Sequence, residues 1–218
     1  MRETIRVPVM EQIYNENDRI SDELRAAFDA RGIFVVNVLG APGAGKTTSI
    51  INIVEHLKDR NVGVIEGDIE SDIDTLKLEQ LGIAAQQINT QGACHLDAAV
   101  IGKAAELLHL LDNSLLFIEN VGNLVCPAEF NIGEHLKMLI LTVTEGSDKP
   151  YKYPLAFEKA DVLLLNKCDL LPYTDFDEEY FIKGVRALNK TAPLFKVSGR
   201  EKSGYKAVAE WLEQRRNK

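Results

Sequence analysis

Residues 33–50 read IFVVNVLGAPGAGKTTSI: an apolar run, a glycine-rich turn, then Lys-Thr-Thr at the head of an amphipathic stretch. The turn, Gly40 to Thr47, fits G-x-x-x-x-G-K-[ST] and lies between a strand pattern and a helix pattern, the context this phosphate-binding motif requires. Backbone N–H groups of Gly43, Ala44, Gly45 and the helix start at Lys46, Thr47 and Thr48 can surround phosphate oxygens. Lys46 supplies a point charge at the β- and γ-phosphates, and the Thr47 hydroxyl is a hard oxygen ligand for Mg²⁺. From average residue usage, a chance match in a chain of this length is roughly one in a hundred. The competing reading is a glycine-rich strand-to-helix turn with no ligand.

Outward from that turn, short apolar runs alternate with longer amphipathic stretches. VGVIE (62–66), LLFIE (115–119), MLILTV (138–143), VLLLN (162–166) and PLFKV (193–197) read as buried strands, with AAQQI (84–88) a further one. Helical stretches fall near 8–31, 45–60, 72–81, 95–111, 176–189 and 203–215. This alternation predicts an α/β chain: a three-layer P-loop NTPase fold, with a mostly parallel central sheet and helices on both faces. Residues 1–32 form an N-terminal helical extension packed on a domain spanning 33–218. Ligands are expected at the carboxyl ends of the strands.

The bulk composition narrows the function. The chain has 218 residues, 45% hydrophobic and 27% charged, as in ordinary globular proteins. A formal charge of -8 with no basic stripe disfavours nucleic acid as a partner. No apolar run reaches membrane-spanning length, and MRETIRVPVMEQ lacks the apolar core of a secretion signal. Three cysteines without framework spacing point to a reducing, cytoplasmic setting.

Asn166-Lys167-Cys168-Asp169 follows an apolar run. The Asp169 carboxylate can accept two hydrogen bonds from the N1–H and N2–H₂ edge of guanine, a donor pair that adenine lacks. Asn166 can brace the loop and the Lys167 stem can lie against the base. Ser198 fits a last base-contacting loop. Glu119 opens Glu-Asn-Val-Gly122, where GTPases usually carry Asp-x-x-Gly. There the acid reaches Mg²⁺ and the glycine N–H touches the γ-phosphate. Asp68 is a second candidate for Mg²⁺. Asp72 and Asp74 are placed to sense the γ-phosphate or an attacking water, or else to cap a helix, since Ser71-x-x-Asp74 has the form of a capping box. Lys46, Asp68, Asp74 and Glu119 are therefore the candidate catalytic residues. No arginine lies in the phosphate loop and Asn123 rather than Gln follows Gly122, so slow intrinsic turnover is expected.

Cys94 and His95 are adjacent, and Cys126 lies four residues past Gly122, in the segment a GTPase rearranges when the γ-phosphate leaves. Thiolate and imidazole suit Ni²⁺ or Zn²⁺ far better than Mg²⁺. Thiolate ligands must be deprotonated, and helix N-termini lower thiol pKa. A nucleophile reading needs a Cys–His hydrogen bond, which neighbours in sequence rarely make well. The bland reading is a small packed thiol at Cys94 and a capping or packing His95. Cys168 reads as a packing residue, and His56, His109 and His135 as helix-surface or core histidines without obvious partners.

Four segments together, NTQGACHLDA (89–98), ENVGNLVCPAEF (119–130), TEGSDKPYKYP (144–154) and LLNKCDLLPY (164–173), resemble the HypB hydrogenase-maturation GTPases, related to the urease accessory GTPase. The likeness runs from the phosphate loop onward. It implies GTP hydrolysis to GDP coupled to nickel delivery to the [NiFe]-hydrogenase large-subunit precursor, with a HypA-type nickel/zinc accessory protein as partner. It also implies a GTP-promoted homodimer, with the metal held by Cys94, His95 and Cys126 where two subunits meet. Many relatives carry a Cys-rich or His-rich N-terminal run; residues 1–32 contain neither residue type, so the metal role falls to the Cys94/His95/Cys126 set and to a partner. The other readings are a urease accessory GTPase, whose ligands typically sit in a compact Cys-Pro-His, and a small-molecule P-loop kinase, against which Asn-Lys-Cys-Asp argues.

Overall fold

The computed structural model describes residues 9–58, 61–68 and 73–217, and the side chains of all of these except 9–13, 68, 73 and 74. Seven strands form one sheet: β1 (Phe34–Gly40), β2 (Val62–Asp68), β3 (Ala84–Asn89), β4 (Leu115–Glu119), β5 (Leu136–Thr142), β6 (Val162–Asn166) and β7 (Leu194–Lys196). Their order is β3-β2-β4-β1-β5-β6-β7, and every pair is parallel. The helices are α1 (Val9–Ala30), α2 (Lys46–Val54), α3 (Ile73–Gln80), α4 (Ala98–Leu107), α5 (Cys126–Glu129), α6 (Lys149–Lys152), α7 (Pro154–Lys159), α8 (Glu178–Leu188) and α9 (Tyr205–Arg216). This is the three-layer P-loop architecture, with the sheet wholly rather than mostly parallel. Among the described residues no helix is long and apolar enough to cross a membrane.

Both faces of the sheet are buried, which is why its strands are continuously apolar. Successive residues of β1 point to opposite sides: Val36 and Val38 join a core with α2 and α9, whereas Val35 packs with residues of α1 and α4. On that second side, further along the sheet, Leu39 meets a core built with α7 and α8. AAQQI is the least apolar run because β3 is an edge strand, largely half-exposed. The chain builds β2 to β4 on one side of β1 and β5 to β7 on the other. That reversal opens a crevice at the carboxyl end of β1, where the glycine-rich turn lies.

Several helices are shorter than the hydrophobic period suggests. The Asp97 carboxylate accepts from Val100 N–H at 2.8 Å, so α4 starts after this cap rather than at residue 95. α2 stops at Val54. Strand β5 starts two residues earlier than its apolar run, at Leu136. The turns α6 and α7 and the 3₁₀ segments Val143–Glu145 and Cys168–Tyr173 were invisible to a periodicity argument, being too short to complete a helical repeat. Pro154 opens α7 at its first position and Pro150 is the second residue of α6, both in the first turn, where proline's missing N–H costs nothing.

A charged pair lies inside the fold. Lys137 Nζ is 2.6 Å from Glu134 Oε1, and both side chains are more than nine-tenths buried. Lys137 also donates to the Phe130 carbonyl at 3.1 Å and to Asn131 Oδ1 at 3.2 Å; Glu134 accepts from Ile132 N–H at 2.7 Å and Asn37 Nδ2 at 3.3 Å. His135, expected to lack partners, has two. Its Nδ1 accepts from Val35 N–H at 3.0 Å, so Nε2 carries the proton toward Asp29, 2.8 Å away. Removing one member of a buried pair strands the other charge. Lys137→Met is therefore expected to lower the unfolding free energy by roughly 3–5 kcal/mol, read from urea denaturation; a change below the error of that measurement would contradict the account.

Candidate functional site

The glycine-rich turn gets its shape from residues lacking side chains. Gly45 has φ 86°, and a Cβ there would lie 2.6 Å from Asn166 Nδ2. Ala44 is fully buried, and its carbonyl accepts from Asn166 Nδ2 at 2.9 Å. Lys46 and Thr47 are buried at the start of α2, with Lys46 Nζ 3.5 Å from the Ala41 carbonyl. Thr48 lies against Gly199, where a Cβ would come within 2.8 Å of its methyl. Thr47 Oγ1 donates to Glu119 Oε1 at 3.1 Å. The structure thus brings together the hydroxyl and the acid that the sequence offered for Mg²⁺. The side chains of Asp68 and Asp74, and all of Ser71 and Asp72, lie outside the described residues.

Asn166, 2% exposed, is the hub of the loops that follow β6 and β7. Besides binding Ala44, its Oδ1 accepts from Lys167 N–H at 2.7 Å, Gly199 N–H at 3.1 Å and the Tyr205 hydroxyl at 3.4 Å. The buried Tyr205 hydroxyl also contacts Ser49 Oγ at 3.1 Å, tying α9 to α2. Lys167 adopts φ 58° and its Nζ reaches the Gly43 carbonyl at 2.8 Å, so it bridges to the phosphate loop. Asp169 Oδ1 accepts from Ser198 Oγ at 2.6 Å, joining the two residues expected at the base. Cys168 packs as expected, and burial pushes its thiol up.

The metal candidates converge. The ligand atoms of Cys94, His95 and Cys126 all lie within 4.8 Å of one another. The two sulfurs are 3.1 Å apart, and Cys94 Sγ is 3.5 Å from His95 Nδ1, a contact between neighbours that the exposed loop permits. Contact with Cys94, then burial, pushes the Cys126 thiol up. Burial holds the His95 imidazole below its ordinary range, toward the neutral form a metal requires. Its ring stacks on Phe130, with centroids 3.9 Å apart.

Between the two sites runs the segment Glu119–Cys126. Gly122 presses on Pro42 of the phosphate loop, where a Cβ would lie 2.9 Å from the proline nitrogen. Asn123 forms a β-bridge with Gly40, and its Nδ2 donates to the Cys94 carbonyl at 3.2 Å. Asn120, 1% exposed, accepts from Leu96 N–H at 3.3 Å and donates to Asn37 Oδ1 at 3.2 Å. In sequence Asn123 stands out only as the residue in place of a glutamine after Gly122; the bridging contacts of both asparagines carry no sequence signal.

A family described as CobW/HypB/UreG, nucleotide-binding domain, matches residues 34–196. The hydrogenase maturation factor HypB of Azotobacter chroococcum mcd 1 is 47% identical over 211 residues, covering 96% of this chain and 69% of that protein. The crystal structure of HypB from Helicobacter pylori in complex with nickel superposes with a TM-score of 0.87 at 34% identity, covering 93% of this chain and 95% of the other. HypB from Archaeoglobus fulgidus gives 0.83 at 33% identity, covering 92% and 98%. The chain belongs to the CobW/HypB/UreG nucleotide-binding family, among its HypB hydrogenase maturation factors.

Proposed function

We propose that this chain is a GTP-hydrolysing metallochaperone that supports nickel insertion into [NiFe]-hydrogenase, binding the metal where two copies meet. One observation carries the reading. A thiol–thiol–imidazole cluster with ligand atoms within 4.8 Å abuts, through Gly122 and Asn123, a loop built for phosphates. The donor set fits a borderline metal, and the three ligands of one chain leave coordination to be completed by a second copy.

In this reading Gly43, Ala44, Gly45, Lys46, Thr47 and Thr48 hold the phosphates, with Gly122 at the γ-position. Asn166, Lys167, Asp169 and Ser198 read guanine. Thr47, Glu119 and Asp68 would hold Mg²⁺, which supplies charge neutralisation at the β- and γ-phosphates when bound. The contact of Gly122 with Pro42 supports a switch whose position follows the third phosphate. Because Asn123 grips the Cys94 carbonyl, a shift of that segment moves Cys94 as well as Cys126. Residues 1–32 are read as an extension packed on the 33–218 domain, and Asp74 as a residue acting in hydrolysis. Lys149, near the ring of Tyr153, is read as reaching the opposing subunit or its nucleotide. A HypA-type accessory protein and the hydrogenase large-subunit precursor are the partners, in the cytoplasm, with zinc an alternative occupant of the cluster.

Three outcomes test this. Cys94→Ser and Cys126→Ser should each lose most bound Ni²⁺ or Zn²⁺ by elemental analysis after gel filtration, with guanine nucleotide affinity kept; full metal retention would refute the ligand assignment. Metal affinity in wild type should differ between GDP and a non-hydrolysable GTP analogue, and Asn123→Ala should shrink that difference. Equal affinities in wild type would sink the coupling. Asp169→Asn should weaken GDP binding by roughly 100-fold, from loss of two charge-assisted hydrogen bonds; an unchanged dissociation constant by calorimetry would remove guanine recognition from that residue.

A further inference from the structure

Helix α1 supplies no ligand to the thiol–imidazole cluster, yet one of its faces grips both segments that do. Asn17, 7% exposed, spans them. Its Oδ1 accepts from Ala98 N–H at 3.0 Å, three residues past His95, and its Nδ2 donates to the Asn131 carbonyl at 2.8 Å, just past the helix that begins with Cys126. One turn earlier, the Tyr14 hydroxyl donates to Glu129 Oε2 at 2.8 Å. The Tyr14 ring lies 4.9 Å from that of Phe130, and Phe130 stacks on His95 at 3.9 Å with an interplanar angle of 22°. Three rings therefore run in series from α1 to the imidazole. One turn later, Ser21 Oγ accepts from Gly133 N–H at 2.9 Å. Positions 14, 17 and 21 share one helix face, so the grip is continuous along it.

The two sulfurs are 32 positions apart in sequence, Cys94 on a loop and Cys126 at the head of a one-turn helix, so their spacing is not set by any regular element they share. Groups behind a ligand fix its orientation and tune affinity, although they never touch the ion. We propose that α1 is a splint for the metal site, with Asn17 and Tyr14 as positioning residues. Asn17 sets the separation of the Cys94-His95 loop from the Cys126 segment. Tyr14, through Phe130, sets the plane of the His95 ring. Metal affinity then depends on residues of a helix that are not themselves ligands. This inference rests on the proposed metal role of Cys94, His95 and Cys126.

The test uses the full chain with Asn17→Ala, Tyr14→Leu, Tyr14→Phe and Cys94→Ser. Ni²⁺ is titrated against a chromophoric chelator, and the nickel–thiolate charge-transfer band is recorded. GDP affinity and the thermal midpoint report folding. Asn17→Ala and Tyr14→Leu should weaken nickel binding about tenfold and change the band, with GDP affinity unaltered. Tyr14→Phe, which keeps the ring, should preserve the band. Asn17 is buried and its loss threatens the fold, whereas Tyr14 is partly exposed, so Tyr14→Leu decides the matter. Wild-type nickel affinity and band in folded Tyr14→Leu, while Cys94→Ser loses the metal, would overturn the splint alone. Wild-type nickel affinity in Cys94→Ser would overturn the metal reading, and the splint with it.

Discussion

The carboxyl end of the sheet is organised by a contact that leaves no room for a side chain. Gly122 sits so close to Pro42 that even a methyl would force the two segments apart. Packed interiors do not yield gradually, so two elements in such contact move together or separate. The glycine-rich turn and the segment leading to Cys126 therefore form one continuous surface. A methyl on Gly45 would likewise collide with Asn166, which binds the base-side loop to the same turn. Two glycines thus let three loops from distant parts of the chain share one small volume.

Behind this surface lies a row of buried polar groups. Lys137 and Glu134 pair beneath the loops, Glu134 meets Asn37, Asn37 meets Asn120, and Asn120 holds Leu96 N–H beside His95. Polar groups this deep cost stability unless each finds a partner. Here they fix the depth of β1, of the end of β4 and of the Cys94-His95 loop relative to one another. Asn120 is anchored in the core, while Asn123 faces the phosphate loop. The stretch 94–96 is consequently held at one end by the buried Asn120 amide and at the other by Asn123, which bridges to Gly40.

Much of this was legible in the sequence, for identifiable reasons. The fold followed from apolar runs spaced by amphipathic ones, because a sheet covered on both faces leaves no alternation to confuse the pattern. The phosphate loop and Asn166–Asp169 were legible because backbone geometry and base chemistry demand particular residues at fixed spacing. Cys94, His95 and Cys126 drew attention as rare residue types, but their convergence depends on packing between segments 32 positions apart. Asn17, Asn37, Asn120 and Asn123 were illegible. An asparagine that bridges two backbones has the same letter as one in a turn, and only the fold distinguishes them. The proline-led turns between residues 143 and 173 escaped because one turn carries no period.

Tyr205 has a consequence for the order in which this protein is made. Its hydroxyl lies between Ser49, beside the phosphate loop, and Asn166, and it is 156 positions downstream of the former. During synthesis the glycine-rich loop leaves the ribosome first, while the tyrosine that braces it against the Asn166 loop leaves last of the three. A nascent chain therefore carries an unbraced turn until Tyr205 has emerged. The glycine-rich turn is thus braced only once a residue 156 positions beyond Ser49 has folded onto it.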